Sequence, residues 1–537
     1  MMNRRSLMLS ALAGTLPALP GLPAQAAGPG GVLRLATTLA DLPLTTGQAS
    51  QGAEGQRFIG MTLYDGLLNW DLSRGDTAAQ VGPGLAQDWS VDAEDRRRWT
   101  FRLRPGVRFH DGSPVTAEDI AWNFDKLLKR DAPQFDPQQA AQGAPYTASL
   151  ASYRALDALT LEIVTKQPDA VLPYQLAMIA ISGPRRWEEM GRDWSKVAQR
   201  PSGTGPWMLE RLVPRERAEL VPNPAYWNPQ RVPRLARLVL LTVPDANTRV
   251  SALLSGQADW IEAPPPDAVP QLRAAGMQIV TNLYPHVWPY QLSTLPDAPT
   301  RDVRVRQALN LAIDREGLCQ MLGGLAVPAE GMVNRGHPWF GEPAFRLRHD
   351  PEAARALLRQ AGYGPGNPVR LKVIISPSGS GQMQPQPMNE FIQESLRAVG
   401  VELTFEVMEW EALRGRRRMG AAAPENRGIS GINNSWGFWD PDIALLRVAA
   451  SADRPPAGYN WGGWQDEEAD RLVAAARTAF TRAEQDRLLA ALHTRIVDQA
   501  LWLWVVHDLN PRAMSPKVQG FVQAQSWFQD LTPVRIG

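Results

Sequence analysis

Between Gly84 and Phe124 the apolar and polar positions change period twice. Trp99-Thr-Phe-Arg-Leu-Arg alternates large apolar with polar residues, the period of a strand with one buried face. Pro105-Gly106 is a turn pair, and the alternation resumes at Val107-Arg-Phe-His, which predicts a second strand and hence a hairpin. Asp111-Gly112 and Pro114 end that strand. From Thr116 the period becomes helical. Thr116 suits an N-cap, Glu118 and Asp119 sit in the positive first turn, and Ile120, Phe124, Leu127 and Leu128 form an apolar stripe.

Other segments read in the same way. Asp350 suits a helix N-cap, Pro351 the first position and Gly362 the position past the end, with Ala354, Leu357, Leu358 and Ala361 at helical spacing between them. Val305, Leu309, Ala312 and Ile313 repeat that spacing. Leu501 to Val506 is a continuous apolar run, as a buried strand requires. Thr281 to Ser293 is strand-like but interrupted by Pro285 and Pro289, which suits a segment crossing between domains.

The stretch from Gly84 to Phe124 closely resembles a signature of the peptide/nickel class of periplasmic solute-binding proteins, the extracytoplasmic receptors of ABC importers. Five further stretches resemble the same family in the same order. They are Tyr64-Asp-Gly-Leu-Leu, Ser202-Gly-Thr-Gly-Pro-Trp, Pro222-Asn-Pro-Ala-Tyr-Trp with Val243 to Asp259, Asp302 to Arg315, and Asp350 to Tyr363. The resemblance implies an α/β, two-lobe periplasmic-binding-protein fold with a hinge, of type II in its large three-domain variant. It implies a first domain in three parts, 27–69, 201–283 and 507–537, a second domain over 70–200, and a third over 284–506 forming the second lobe. The implied function is capture of a peptide or peptide-like small solute between the lobes and delivery to a membrane permease, with no bond made or broken and no cofactor.

Composition narrows the partners. Lys+Arg 56 against Asp+Glu 55 leaves no broad basic field, so nucleic acid is not an expected partner. A length of 537 residues suits about three domains, and a monomer is expected. Arg4-Arg5, the interrupted apolar stretch Leu7 to Leu22 and Ala24-Gln25-Ala26 read as a signal peptide over 1–26, by the secretory or the twin-arginine route, giving a soluble periplasmic protein. Cys319 is the only cysteine, so no internal disulfide forms, and a packed thiol is the simpler reading.

Ligand contacts are sought where rings and polar groups fall at expected crossings and loops. Asn433 to Asp442 carries Trp436, Phe438 and Trp439 in the place of the family's cleft-lining loop, with Asp440 beside them. Packing between domains is the alternative. In peptide-binding relatives an Asp three places before the "DP" acid pairs with the ligand's terminal amine, and Gly437 stands there in this chain. An aromatic, glycoside-like or opine-like solute, or a metal-chelate, is therefore the alternative to a peptide. His286, Trp288 and Tyr290 share one side of the crossing segment if it is extended. Thr46 and Gln48 follow the first strand and are the remaining contacts. Ser376 to Gln386 and Arg416-Arg-Arg418 read as a surface loop and a solvated helix end. A periplasmic hydrolase is the remote alternative, because Ser202 lies outside a nucleophile-elbow motif and the six histidines are scattered.

Overall fold

The computed structural model describes residues 30–537 apart from 380 and 457; the expected signal peptide lies outside these residues. Two seven-stranded sheets form the centres of two lobes. In the first, the order is Gln278–Val280, Arg512–Met514, Trp260–Glu262, Val32–Thr37, Arg237–Thr242, Arg217–Pro222 and Trp207–Val213. Val32–Thr37 runs parallel to both neighbours and the outer pairs are antiparallel. The second sheet orders Ala326–Pro328, Trp502–Asp508, His286–Leu292, Gly431–Asn433, Val369–Ile375 and Val401–Val407, with Trp436–Gly437 added against His286–Leu292. A four-stranded antiparallel sheet, Ala86–Val91, Arg98–Leu103, Thr160–Thr165 and Leu150–Asp157, stands on the first lobe. Among the described residues no helix is long and apolar enough to cross a membrane.

The alternation at Trp99 becomes the strand Arg98–Leu103, and Thr116 caps the helix Ala117–Leu128 through a box shared with Asp119. The expected hairpin partner at Val107-Arg-Phe-His is corrected. That segment makes only one isolated bridge, Arg108 to Pro114, and Phe109 N–H instead bonds Ser113 O in a tight turn. The true partners of Arg98–Leu103 are the strands on either side of it, Ala86–Val91 and Thr160–Thr165. Leu128 also leaves the apolar stripe and is exposed, while Ile120, Phe124 and Leu127 are buried.

Several stretches that carried the family resemblance converge on packing. Asp65 is buried and accepts from Asn69 Nδ2, Thr204 Oγ1, Tyr226 OH and Trp227 Nε1 at 2.8–3.0 Å. Beside it, His110 N–H donates to Gly203 O and Asp111 N–H to Ser202 Oγ. A Cβ on Gly203 would stand 2.0 Å from Leu63 O, so only glycine allows this backbone approach. In the second lobe, Arg306 and Arg315 are buried and spend their guanidinium donors on backbone carbonyls of Thr300, Gln499, Ala500, Asn310 and Trp504. These charges orient chain rather than solute.

Under the first sheet lies a buried ionic group. Arg57 bonds Glu54 Oε2 at 2.7 Å and Glu262 Oε2 at 2.8 Å, while Glu262 Oε1 accepts from Trp260 Nε1 and Arg512 Nε. Arg512 and Arg57 hold the Glu262 carboxyl below the usual range against the opposing effect of burial. Removing that charge leaves two guanidinium groups short of a partner, and breaking a buried pair costs about 3–5 kcal/mol. Glu262→Gln is expected to lower the unfolding free energy by about 3 kcal/mol in chemical denaturation.

Acid sensitivity follows from the histidines. Burial pushes His286 and His337 down to about 3, and His110, His493 and His507 down to about 4. Each lies below the unfolded value of about 6.5, so the folded chain binds fewer protons. Their contribution is present above about pH 6.5 and is lost as pH falls through about 4 to 3. Melting temperature is expected to fall steadily from about pH 6.5 downward, and His493→Gln to blunt that slope.

Candidate functional site

The chain passes from the first sheet to the second between Val280 and His286, and returns between Asp508 and Arg512. The two crossings lie side by side. Asn282 N–H donates to Leu509 O at 3.0 Å, and its side-chain amide donates to Gly75 O and Gln523 O at 2.7 Å each. Tyr284 OH donates to Asp508 Oδ2 at 3.1 Å, and burial pushes the Asp508 carboxyl up to about 6. Asn510 takes a left-handed φ of 47°, a conformation that Asn tolerates better than most residues. Two adjacent short segments without side-by-side helices are the geometry of a hinge.

Beyond the hinge the lobes meet along a seam of rings. His286 lies between Tyr284 and Trp527, with ring centroids at 5.3 and 5.1 Å. Trp439 of the second lobe packs on Trp527 and Phe528 of the first, at 6.2 and 5.8 Å. The space left among Trp70, Tyr174, His337, Trp339, Phe438 and Trp439 is about 20 Å³, room for about one water. Several polar atoms in this region are buried without a hydrogen-bond partner among the described residues: Trp70 Nε1, Trp439 Nε1, Trp527 Nε1, His286 Nδ1 and His507 Nε2. Unpartnered indole nitrogens also occur inside the lobes, at Trp99, Trp288, Trp461 and Trp504.

The expected contacts divide between the seam and the interior. Phe438, Trp439 and His286 stand at the seam. Burial holds the His286 imidazole well below its usual value, down to about 3. Trp436 is a core residue of the second lobe: its ring meets Tyr459 and Trp502 edge-on, and its indole N–H donates to Ile443 O. Asp440 is buried, accepts from Ile443 N–H at 2.9 Å, and is pushed up to about 7 by burial and then by Asp442. Asp440 thus forms the loop hydrogen bond expected of it.

Four more expected contacts lie away from the seam. Trp288 and Tyr290 face the opposite side of the second sheet, in a core with Leu309, Met388 and Ile392, and Tyr290 OH bonds Asn389 Oδ1. Residues of the helices Val303–Ala312 and Pro385–Arg397 cover the face that Trp288 and Tyr290 share, which makes it core rather than cleft. Thr46 and Gln48 are buried inside the first lobe. Gln48 donates to Met178 O and accepts from Ala180 N–H, and Thr46 O accepts from Ser182 Oγ. Gln382, from the expected surface loop, is also held: it accepts from Ser435 N–H at 2.7 Å. Arg416 pairs with Glu406 and Asn426, while Arg417 lies over the Trp436 and Tyr459 rings.

Gly437 is forced by its neighbour. A Cβ there would stand 1.7 Å from Cζ3 of Trp439, so no side chain fits beneath that ring. The indole occupies the place where a carboxylate would project. Trp70, Tyr174, His337, Trp339, Trp527 and Phe528 complete the seam and were not anticipated. They come from distant stretches of chain, and the paired rings at 527–528 were the only local signal.

The sequence model of bacterial extracellular solute-binding proteins, family 5, matches residues 80–466. Di/tripeptide-binding protein 2 of Pseudomonas aeruginosa is 26% identical over 516 residues, covering 92% of this chain and 94% of that protein. Heme-binding protein A of Haemophilus influenzae is 26% identical over 480 residues, covering 86% and 84%. The crystal structure of the dipeptide-binding protein from a Pseudoalteromonas species in complex with Met-Leu shares the fold, with a TM-score of 0.78 at 20% identity, covering 94% of this chain and 100% of that one. With its two lobes, paired crossings and ring-lined seam, the chain belongs to the bacterial extracellular solute-binding proteins of family 5, which bind their solutes and are not enzymes.

Proposed function

We propose that this protein is the periplasmic receptor of an ABC importer, capturing a short peptide or peptide-like solute between its lobes and delivering it to membrane permease subunits. In this reading it is exported by its signal peptide and works as a monomer. The observation that carries the reading is the seam itself, where rings from both lobes and unpartnered buried donors face one another across a two-strand hinge. Sites for small solutes commonly span about 300–1,000 Å³. The seam in this closed form holds about 20 Å³, so a guest enters by separation of the lobes and holds them further apart than here. The solute gains by contacting both lobes at once, and closure follows from its higher affinity for that arrangement. The division into three domains, with the outer lobe between the crossings, serves this movement.

A second reading has its own observation. The Trp439 ring over Gly437 fills the position from which relatives hold a terminal amine. Enclosing an unpaired ammonium is costly, so a solute without a free amine, aromatic or chelate-like, suits the seam better than a plain peptide. The experiment is a thermal-shift series on the purified protein with di- and tripeptides, their N-acetylated forms and aromatic glycosides. A ligand bound only by the folded state raises melting temperature. Stabilisation by free peptides supports the first reading, and stabilisation only by the amine-free compounds supports the second. No shift with any compound, and unchanged uptake after gene deletion, contradict both.

Trp439→Ala is expected to cut affinity for the stabilising compound at least about tenfold while leaving the unliganded melting temperature within a few degrees, because an indole at the seam supplies about 1–3 kcal/mol to a guest. Titration calorimetry on both proteins checks this.

A further inference from the structure

Outside the ring-lined part of the seam the lobes enclose a second space, a groove of about 600 Å³. One wall is the first lobe at Ser149, Asp169 and Gln175; the other is the second lobe at Asp442, Asp453 and Arg477. The lobes are tied here by backbone: Ala170 N–H donates to Arg477 O at 2.7 Å. Arg477 reaches Asp442 at 2.9 Å and Asp453 at 3.2 Å. Asp169 and Asp442 are 5% and 4% exposed, so closure holds two carboxylates from opposite lobes out of water and near one guanidinium.

We propose that Asp169 and Asp442, gathered across the lobes around Arg477, form a proton-operated clasp: the closed form binds a proton that the open form releases, and acid favours closing.

The charge balance supports this. Behind Asp442 stand Asp440 and Asp453, and the nearby cations are Arg447 and Arg477. Four carboxylates thus face two guanidinium groups. Asp470, further along the groove, is occupied by Ser451 N–H. On the first-lobe side Val171 N–H donates to Asp169 at 3.2 Å, and Ser149 lies beside it with its hydroxyl donated to Gln175. Burial and then Asp442 push the Asp169 carboxyl up to about 6, against the pull of Arg477. In an open form the same carboxyl stands in water, where about 3.9 is usual. The closed form therefore takes up the proton as pH falls through about 6, and the preference for closing grows between about pH 6 and pH 4. This acts on lobe movement, whatever solute the seam accepts. An importer so built would load its receptor more readily in acid surroundings.

The Ala170 amide reports the clasp directly, since its hydrogen bond crosses the lobes. Hydrogen exchange of the segment holding it, corrected for intrinsic rate, is expected to be about tenfold slower at about pH 5 than at about pH 8 in the unliganded protein. Asp169→Asn, which is neutral at both values, is expected to be equally protected at both. Asp442→Asn, removing the facing charge, is expected to flatten the dependence as well and serves if the first variant does not fold. Equal protection in the wild type at the two values, or a pH dependence retained in the folded variants, overturns the clasp.

Discussion

The structure depends on burying polar and charged groups along a seam that must also be able to part. Two short stretches of chain, 281–285 and 509–511, join the lobes among the described residues, and everything else between them is non-covalent. The seam leaves several indole and imidazole nitrogens unpaired beside a hinge. In the lobe interiors Asp65, Arg306 and Arg315 each have several of their hydrogen bonds made, while the indoles of Trp99, Trp288, Trp461 and Trp504 are left unpaired there as well.

Buried charges in the lobes hold backbone segments together, and their removal costs stability. Rings at the seam add apolar area to whatever touches both lobes, and they cost the unliganded protein little. The Trp439 ring illustrates how one residue shapes the seam. By lying over Gly437 it leaves no room for a side chain there and presents a flat aromatic surface instead.

Much of the fold was legible because its signals are local. Thr116 and Asp350 cap the helices they were expected to cap, and Leu501 to Val506 enters a fully buried strand. The fold family was legible from ordered motifs whose residues prove to be packing partners, as at Asp65 and Gly203. The second strand at Val107 failed because alternation alone does not supply a partner, and Ser113 captured the backbone first. The site was less legible for the same physical reason. Phe438, Trp439 and His286 were found in local runs. Trp70, Tyr174, His337 and Trp527 meet only in three dimensions, and only the packing of distant helices shows that Trp288 and Tyr290 are core.

The central claim is that the lobes swing about the paired crossings and close on an unaltered guest. Small-angle X-ray scattering of ligand-stripped protein, before and after addition of a compound that raises its melting temperature, tests it most directly. The account predicts that the ligand-stripped protein samples widely parted lobes, so that the bound form has the smaller radius of gyration, and that the same compound is recovered on unfolding. An identical scattering curve with the compound bound, or recovery of it in pieces, would contradict the account.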